Sequence, residues 1–426
     1  MKALIDVRND FENGKYDSLI EDIYVDKGQV EYQRKRYVNA LNKFEALYGT
    51  KDIAIYSAPG RSEVGGNHTD HQRGQVLACA VNLDAIGVVA KRSDGQIIVV
   101  SDSFVIDPID SNDLDKKASE EGTSEALIRG VTAKMKEEGY TVGGFEAFIT
   151  SDVLVGAGLS SSAAFEVLIG NIQSYLYNNG RADAVFLAQA AQYAENVYFG
   201  KPCGLMDQMA SSVGNLINID FKDVKNPIIK KVDVEFDKFG YSLCIVDSKS
   251  SHADLTPEYA AIPTEMKRVA AFFGKEVLRE VDKDDFYANI PAIREQVGDR
   301  GVIRAIHFYK DHETAGKEVK ALEKGNFEKF LKNINKSGDS SFQYLQNVFP
   351  ASDPQNQGVA LCIALSKEIL KGEGAVRVHG GGFAGTIQAF VPNEMVPEYR
   401  KSLDAVFGEG SCHVLKVRKY GGMKFC

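Results

Sequence analysis

A segment of small residues, VGAGLSSSAA at positions 155–164, lies between two segments of different periodicity. Residues Gly144 to Thr150 before it alternate between apolar and polar types, which is typical of a β-strand. From Phe165 to Leu176 after it, apolar residues recur at helical spacing and form one face. A strand that leads through a glycine-rich turn into a helix restricts the chain to folds in which helices pack on a sheet. Long helical stretches and few strands elsewhere predict an α+β fold.

The same glycine- and serine-rich turn is a candidate phosphate site. Backbone N–H groups and the positive end of a helix dipole meet at such a turn and can hold phosphate oxygens. The turn is not a Walker loop, because no GK[ST] follows it, and its spacing does not fit GxGxxG. Plain helix capping by Ser160 or Ser161 is the alternative. Three serines behind two glycines favour phosphate, and the expected contacts are Gly156, Gly158, Leu159, Ser160, Ser161 and Ser162.

A second polar segment, SAPGRSEVGGNHTDHQRG at positions 57–74, directly follows the alternating run Asp52 to Tyr56. We expect Pro59 and Gly60 to end that strand, and Gly65 and Gly66 to bend the backbone back. A solvated turn would also be rich in Gly, Asn and Asp, but it needs neither an arginine nor a His-Thr-Asp run. The segment therefore predicts a site for one small polar ligand, formed by Arg61, Asn67, His68 and Asp70.

Two acidic residues further along the chain could serve phosphoryl transfer, which needs a cation at the phosphates and an acid that holds it. Glu195 lies on a predicted helix that ends at Gly200, and together with the hydroxyl of Ser162 it could hold the cation. A glutamate considered alone is more often a solvated surface residue. Asp207 lies in an apolar, glycine-containing turn, where an acid is usually a helix N-cap. Beside Arg61 it could instead align or deprotonate a substrate hydroxyl while the arginine stabilises charge on the transferred group.

The chain has 426 residues, of which 44% are hydrophobic, enough for two or three domains with separate cores. We place the main division in the charged stretch from Asp220 to Phe239, which gives a helical extension at 1–50, a first domain at 51–238 and a second at 239–426. The formal net charge is −9 and no basic block is present, so we expect no nucleic-acid partner. A charged start and the lack of any apolar window of about 18 residues predict a cytoplasmic protein without a membrane span.

Four motifs in order resemble those of the GHMP family of small-molecule kinases and, within it, the galactokinases. The galactokinase signature, roughly GRxNxIGEHTDY, is similar to GRSEVGGNHTDH at 60–71, and the phosphate motif GLSSSAS is similar to GLSSSAA at 158–164. The motifs CGxMDQ and GGGFGG are similar to CGLMDQ at 203–208 and GGGFAG at 380–385. The resemblance extends over most of the chain, from Ser57 to about Val391.

The resemblance implies a two-domain GHMP kinase fold, with a mixed-sheet first domain of the ribosomal-protein-S5-like type and a ferredoxin-like α/β sandwich as the second. ATP, Mg²⁺ and a sugar would bind in the cleft between the domains of a sugar-1-kinase; we expect a monomer and leave a dimer open. By position, Asp207 and Arg61 match the catalytic pair, and Ser162 and Glu195 match the magnesium ligands. The positions that match the sugar site are Asn67, His68, Asp70, Gly204, Tyr259 and Gly381.

The sugar end of the chain departs from the family pattern at several positions. Asn67 stands where the family has Glu, Glu63 where it has Asn, His71 where it has Tyr, and His379 where it usually has Thr. The segment that begins at Tyr259, YAAIPTEMKR, lacks the family's paired arginines. The nucleotide end therefore looks intact, and the sugar end looks altered.

The amide of Asn67 leaves the identity of the sugar open. A carboxylate there would repel an acid group on C6 of the sugar, whereas a neutral amide, helped by His68 or His71, would accept one. Galactose is the leading substrate and galacturonate the alternative. Asn67 could also merely weaken galactose binding, because one lost charge-assisted hydrogen bond is worth about 1.5–3 kcal/mol. A non-catalytic sensor of sugar and ATP is a further alternative, although such a protein could dispense with Asp207 and Arg61.

Overall fold

The structure, a computed structural model, describes residues 1–102, 106–154, 158–250 and 255–426. Gly156 of the predicted phosphate turn lies outside the described residues, as does His252. Within these ranges the chain forms two β-sheets with α-helices packed on them. The predicted α+β class is confirmed.

In chain order the strands are β1 (Lys2–Ala3), β2 (Asp52–Gly65), β3 (Gln75–Lys91), β4 (Gln96–Ser101), β5 (Ile109–Asp110), β6 (Phe145–Ser151), β7 (Leu216–Asp220), β8 (Ile228–Val232), β9 (Tyr241–Asp247), β10 (Ala375–Val378), β11 (Thr386–Pro392), β12 (Cys412–Leu415) and β13 (Met423–Lys424). The first sheet has the order β1-β2-β3-β6-β4-β5, with β7 beside β3, β8 beside β7, and β13 beside β2. It is a mixed sheet, because β4 and β6 run parallel and the other pairs run antiparallel. The second sheet is antiparallel, in the order β10-β11-β9-β12.

In chain order the α-helices are α1 (Leu4–Glu12), α2 (Asp17–Tyr24), α3 (Val30–Tyr48), α4 (Ser124–Glu137), α5 (Ser161–Asn178), α6 (Ala184–Tyr193), α7 (Met206–Val213), α8 (Thr256–Phe272), α9 (Lys283–Ala288), α10 (Ile290–Val297), α11 (Asp299–Glu323), α12 (Phe327–Ser340), α13 (Gly358–Leu370) and α14 (Val396–Phe407). A π-helical turn, Ala194–Phe199, extends α6, and another, Ser341–Leu345, extends α12. No helix in the described ranges combines the length and apolarity needed to cross a membrane.

Both faces of the first sheet are buried. Strand β2 shows this, because successive side chains of a strand point to opposite faces and those of β2 are buried on both. Ile53 and Ile55 pack in one apolar cluster with residues of α1, α2 and α3. Ala54 and Tyr56 pack in another with residues of α4, α5 and α6. The predicted N-terminal helices therefore cover one face of the sheet, and the helix that follows the phosphate turn covers the other.

Strand β2 extends beyond its predicted end. The sequence predicts that Pro59 and Gly60 stop the strand, but β2 continues to Gly65 and includes Arg61. The register with β3 shifts between Pro59 and Arg61 and again between Glu63 and Gly65. Such β-bulges accept a proline within a strand, because the regular ladder of hydrogen bonds is already interrupted there. The first part of the candidate site is thus a bulged strand and not a loop.

The turn residues Ser93-Asp94-Gly95 between two strand-like runs are typical of a β-hairpin, but β3 and β4, which flank them, do not pair. Strand β6 lies between them, antiparallel to β3 and parallel to β4. Residues 145–149 of β6 are buried, so its backbone needs a hydrogen-bonded neighbour on each side. The turn reverses the chain locally, but burial of β6 decides which strands pair.

Residues 233–240 connect β8 of the first sheet to β9 of the second. The domain boundary expected between 238 and 239 falls in this connection, and the boundaries themselves stay a prediction. Strand β13 returns at the end of the chain to pair with β2. The last residues therefore help to hold the strand that carries Arg61.

Candidate active site

Arg61 and Asp207 form a bidentate ion pair. Arg61 donates from Nε to Oδ1 and from Nη2 to Oδ2 of Asp207, each at 2.7 Å. Asp207 is the second residue of α7, and the helix N-cap is Leu205, so the acid is not used as the cap. Ser160 of the phosphate turn also donates its hydroxyl to Oδ2 of Asp207. The two residues expected to form the catalytic pair are therefore in contact, and both adjoin the phosphate turn.

The surroundings of Asp207 hold its pKa below the usual value. Burial raises the pKa of this carboxyl, but the charge of Arg61 and hydrogen bonds from Arg61 and Ser160 lower it by more. Arg61 is 6% exposed, and its Nη1 donates to the carbonyl of Gly158. Asp207 is therefore an ionised acceptor at neutral pH, next to a buried positive charge.

The phosphate turn lies directly against β2. The N–H of Arg61 donates to the carbonyl of Leu159 at 3.0 Å, and a β-carbon added to Gly60 would lie 2.9 Å from the same oxygen. Only glycine at position 60 lets the turn approach the strand this closely without a shift. Helix α5 begins at Ser161, so its first N–H groups, which have no partner within the helix, lie at this turn.

The capping alternative for the serines is not what the structure shows. Ser160 occupies the N-cap position with a φ of 56°, and its side chain makes no capping hydrogen bond. Its hydroxyl is directed to Asp207 instead. Ser161 and Ser162 follow as the first two residues of α5, and both are half-buried. The turn thus connects the predicted phosphate site to Asp207 and Arg61, the predicted catalytic pair.

Glu195 is buried and is not a solvated surface residue. It is 3% exposed, within the π-helical turn that extends α6. Its Oε1 lies 3.0 Å from Nζ of Lys201, and its Oε2 accepts a hydrogen bond of 2.8 Å from Nε2 of Gln208. Because Gln208 follows Asp207 in the chain, its amide links the acid expected to hold the metal to the catalytic pair.

Glu166, which the sequence analysis did not select, belongs to the same cluster. It is fully buried on α5, and its Oε2 accepts from Nε2 of Gln208 at 3.2 Å. Burial, followed by the negative charge of Glu195, raises the pKa of Glu166 well above its usual range. Glu166 follows Ser162 by four residues, which places both on one face of the helix. That spacing was the sequence signal for this residue.

The acidic side chains near Glu195 suit a cation that also takes ligands from phosphate, rather than a cation whose ligands all come from the protein. In the described part of the chain, no group of three or more His, Cys, Asp or Glu residues could hold a metal. Mg²⁺ commonly takes one or two protein ligands and completes its shell with phosphate oxygens and water. Oε1 of Glu166 and Oε1 of Gln208 are buried beside Glu195 and have no hydrogen-bond partner. Metal-bound water could donate to Gln208, so the surroundings of Glu195 fit a magnesium ion, and Ser162 stays a predicted second ligand.

The matched sugar residues bring the first sheet into contact with the glycine run after β10. His68 donates from Nε2 to the carbonyl of Gly381 at 3.0 Å. Tyr259, on α8, donates its hydroxyl to the carbonyl of Gly382 at 2.8 Å. The polar segment that follows β2 and helix α8 are therefore both in direct contact with the late glycine motif.

Asp70 lies beside the turn that leads to the catalytic acid. A β-carbon added to Gly204 would be 2.0 Å from Oδ2 of Asp70, so this approach requires glycine. Gly204 precedes Asp207 by three residues, within CGLMDQ. One of the expected sugar acceptors and the catalytic acid are thus held close to the same short turn.

His68 is kept neutral by its surroundings. Burial, followed by the charge of His71, lowers the pKa of His68 from 6.5 to about 3. The two imidazole rings stack with their centroids 5.7 Å apart. Because the single N–H of this neutral ring is donated to Gly381, His68 can only accept a hydrogen bond from a sugar hydroxyl, at Nδ1, and it carries no positive charge at neutral pH.

The side chain of Asn67 is buried within the protein, whereas the sequence predicts that it contacts the sugar. Its side chain has no exposed surface, and its Nδ2 donates to Glu63 at 2.9 Å and to the carbonyl of Gly380 at 2.7 Å. Its Oδ1 accepts from Ser341 at 3.2 Å and from Asn347 at 2.8 Å. Both donors and both acceptor positions of the amide are thus used by the protein. In this structure Asn67 is part of the cleft wall and offers no free group to a sugar.

Two of the other departures from the family pattern, Glu63 and His379, belong to the same buried network as Asn67. Glu63 forms an ion pair with Arg377 of β10, which also donates to the carbonyl of Val64 at 2.8 Å. The N–H of Glu63 donates to Nε2 of His379 at 3.3 Å. Burial lowers the pKa of His379 well below its usual value, so this ring is a neutral acceptor. Glu63, Asn67 and His379 therefore join β2 to the second sheet.

Comparisons with known proteins agree with this geometry. The galactokinase galactose-binding signature matches residues 42–91, and the GHMP kinases N terminal domain matches residues 126–215. A galactokinase of Streptomyces coelicolor is 30% identical over 88% of this chain and 94% of its own length. A galactokinase of Glaesserella parasuis is 30% identical over 84% of this chain and 90% of its own length.

Solved structures give the same result for the fold. The crystal structure of Lactococcus lactis galactokinase complexed with galactose covers 91% of this chain and 100% of its own, with a TM-score of 0.78 and 25% identity. The Methanococcus jannaschii mevalonate kinase, at 15% identity, covers 86% of this chain and 98% of its own with a TM-score of 0.60, which shows a shared fold. The expected two-domain GHMP kinase fold is confirmed. The chain belongs to the galactokinase family of GHMP kinases and is a sugar kinase.

Proposed function

We propose that this enzyme transfers the γ-phosphoryl group of ATP, with Mg²⁺, to the anomeric C1 hydroxyl of a galactose-type sugar, giving sugar 1-phosphate and ADP. The observation that supports this most directly is the Arg61–Asp207 pair, with both oxygens of Asp207 bonded to the guanidinium at 2.7 Å. Asp207 of this pair accepts a hydrogen bond from Ser160 of the phosphate turn. It also follows closely after Gly204, the residue against which Asp70 lies. Phosphate donor and sugar acceptor would therefore meet at Asp207.

Asp207 orients the attacking hydroxyl. As an ionised carboxylate it accepts a hydrogen bond from the C1 hydroxyl, and it takes up the proton as the oxygen–phosphorus bond forms. The bond between the γ-phosphorus and the bridging oxygen breaks, and ADP leaves with that oxygen. Arg61 loses part of its pairing with Asp207 as the acid engages the sugar, and its charge then stabilises the oxygens of the transferred group.

The phosphate turn and the acid cluster hold the nucleotide end. Gly156, Gly158 and Leu159 would offer backbone N–H groups, and Ser160, Ser161 and Ser162 would offer N–H and hydroxyl groups. Ser162 and Glu195 would hold Mg²⁺, which, when bound, neutralises charge on the phosphates. This arrangement would accelerate the reaction because it aligns the γ-phosphorus with the attacking hydroxyl before the bond forms.

The described residues of the sugar site favour a neutral sugar. His68, Asp70, Gly204, Tyr259 and Gly381 would contact the sugar. His68 is neutral, because its pKa is about 3, and Asp70 would repel an acid group. The amide of Asn67, which was the reason to consider galacturonate, is fully bonded within the protein. We therefore place galactose first, and the galacturonate alternative depends on His71 and on the absence of a glutamate at position 67.

A steady-state assay of ADP release with ATP, Mg²⁺ and each of galactose, galacturonate, glucose, arabinose and N-acetylgalactosamine tests the proposal. We expect the highest kcat/KM with galactose, and a product whose phosphate is on C1 by ³¹P and ¹³C NMR. A clear preference for galacturonate would contradict the neutral-sugar assignment. No phosphate transfer to any of these sugars would contradict the proposed reaction.

A further inference from the structure

Lys201 reaches into the acid cluster from the surface. It follows Gly200, whose φ of 85° ends the π-helical turn and returns the chain toward Glu195. The N–H of Lys201 donates to the carbonyl of Glu195 at 3.0 Å, and its Nζ lies 3.0 Å from Oε1 of the same residue. The side chain of Lys201 is 64% exposed, whereas that of Glu195 is 4% exposed. An exposed ammonium is thus paired with a buried carboxylate.

The ammonium occupies the place where a metal would bind Glu195. Oε2 of Glu195 accepts a hydrogen bond from Gln208, so we take Oε1, the oxygen paired with Lys201, as the atom that would bind the metal. A divalent cation at Oε1 must displace the ammonium, because two cations in contact with one carboxylate oxygen repel each other. Lys201 and the metal therefore compete for one oxygen.

The displaced ammonium would remain close to the nucleotide. Glu195 would hold the metal that accompanies the nucleotide phosphates, and the long side chain of Lys201, 3.0 Å from the same carboxylate, would stay close to those phosphates. The ammonium suits phosphate well, because it is a compact charge on a flexible stem. Arg61, buried beside Asp207 and Gly158, would serve the transferred group, so the charge of Lys201 would be additional to it on the Glu195 side of the phosphates.

We propose that Lys201 is a nucleotide-phosphate contact that is held on Glu195 until the metal–nucleotide complex arrives. This inference rests on the proposed function, because Glu195 is its metal ligand. In the nucleotide-free enzyme, Lys201 weakens the binding of free divalent cation. In the loaded enzyme, it adds a positive charge at the phosphates.

The test compares Lys201→Met and Lys201→Arg with the wild type, and uses Lys35→Met as the matched control. Lys35 forms an exposed ion pair with Glu31, with both side chains 74% exposed. Electron paramagnetic resonance measures the binding of Mn²⁺ alone, and calorimetry measures the binding of AMP-PNP with Mg²⁺. We expect Lys201→Met to bind free Mn²⁺ about 5-fold more tightly, and AMP-PNP with Mg²⁺ about 10-fold more weakly. Lys201→Arg should keep most of the nucleotide affinity.

A thermal unfolding scan confirms that each variant is folded before binding is measured. If Lys201→Met binds both Mn²⁺ and AMP-PNP as the wild type and Lys35→Met do, the proposal is overturned and Lys201 is an ordinary ion-pair partner. Weaker binding of both Mn²⁺ and AMP-PNP would also overturn it, because a merely structural role would damage the site as a whole. These binding measurements need no sugar. A wild type that transfers no phosphate would therefore contradict the proposed reaction without deciding the role of Lys201.

Discussion

The amide of Asn67 donates to the carboxylate of Glu63 at 2.9 Å, so two positions at which the chain departs from the galactokinase signature are in direct contact. The galactokinase signature has Asn at position 63 and Glu at position 67, whereas this chain has Glu63 and Asn67. One acid and one amide are kept in the pair, and Arg377 is the cation that accompanies the acid. The exchange is therefore a change within a buried network that joins the two sheets.

Asn67→Glu is expected to destabilise the protein and not to retune its sugar preference. The new carboxylate would lie next to Glu63 and against the carbonyl of Gly380, with no added cation. We expect a loss of about 3 kcal/mol in the free energy of unfolding, measured by urea denaturation. Asn39→Glu, at an exposed position of α3, should change it by less than about 0.5 kcal/mol.

The double variant Glu63→Asn with Asn67→Glu sharpens this comparison. It restores the family's order of acid and amide, and should be more stable than Asn67→Glu alone. A stable Asn67→Glu protein with raised kcat/KM for galactose would instead show that position 67 contacts the sugar.

Asp207→Asn should abolish most of the activity with little loss of structure. The amide oxygen can still accept from Arg61 or Ser160, but the negative charge that aligns the hydroxyl and takes its proton is lost. We expect kcat to fall by about 100- to 10,000-fold, with AMP-PNP binding nearly unchanged. Asp6→Asn, at an exposed position of α1, is the control for loss of an acid. A variant with wild-type kcat would remove Asp207 from the mechanism.

Gly204→Ala should weaken sugar binding through Asp70. The added β-carbon would lie 2.0 Å from Oδ2 of Asp70, so that carboxylate must move away from the cleft. Loss of one hydrogen bond to a charged acceptor should raise KM for the sugar by about 10- to 100-fold. KM for ATP is the internal comparison and should change little. Gly316→Ala, whose nearest contact would be 3.6 Å away, should leave both KM values as they are. Equal rises in both KM values for Gly204→Ala would argue for a general distortion of the cleft.

His68 should make the protein less stable in acid. Its pKa is about 3 in the folded protein and 6.5 as an unperturbed group, so the folded state binds fewer protons than the unfolded state. The stability that this residue contributes is complete above 6.5 and is lost as the pH falls toward about 3. Urea denaturation across this range should show a steeper decline for the wild type than for His68→Asn. Parallel curves would mean that His68 is not held neutral.

The sequence by itself determined the family, and it predicts the chemistry of the nucleotide end. Local patterns suffice there: a glycine-rich turn between a strand and a helix places backbone N–H groups and serines together whatever surrounds them. The motifs around Arg61 and Asp207 likewise predict a pair that the tertiary structure does bring into contact.

Only the tertiary structure decided which groups are free to bind and which are used by the fold. Pro59 lies within a strand because β3 accepts a bulge, and β3 and β4 are separated because β6 pairs with both. Asn67 could not be assigned from sequence, because its partners Gly380, Ser341 and Asn347 are hundreds of residues away in the chain. Hydrogen bonds at such separations depend on how the two sheets pack, and no local pattern encodes them.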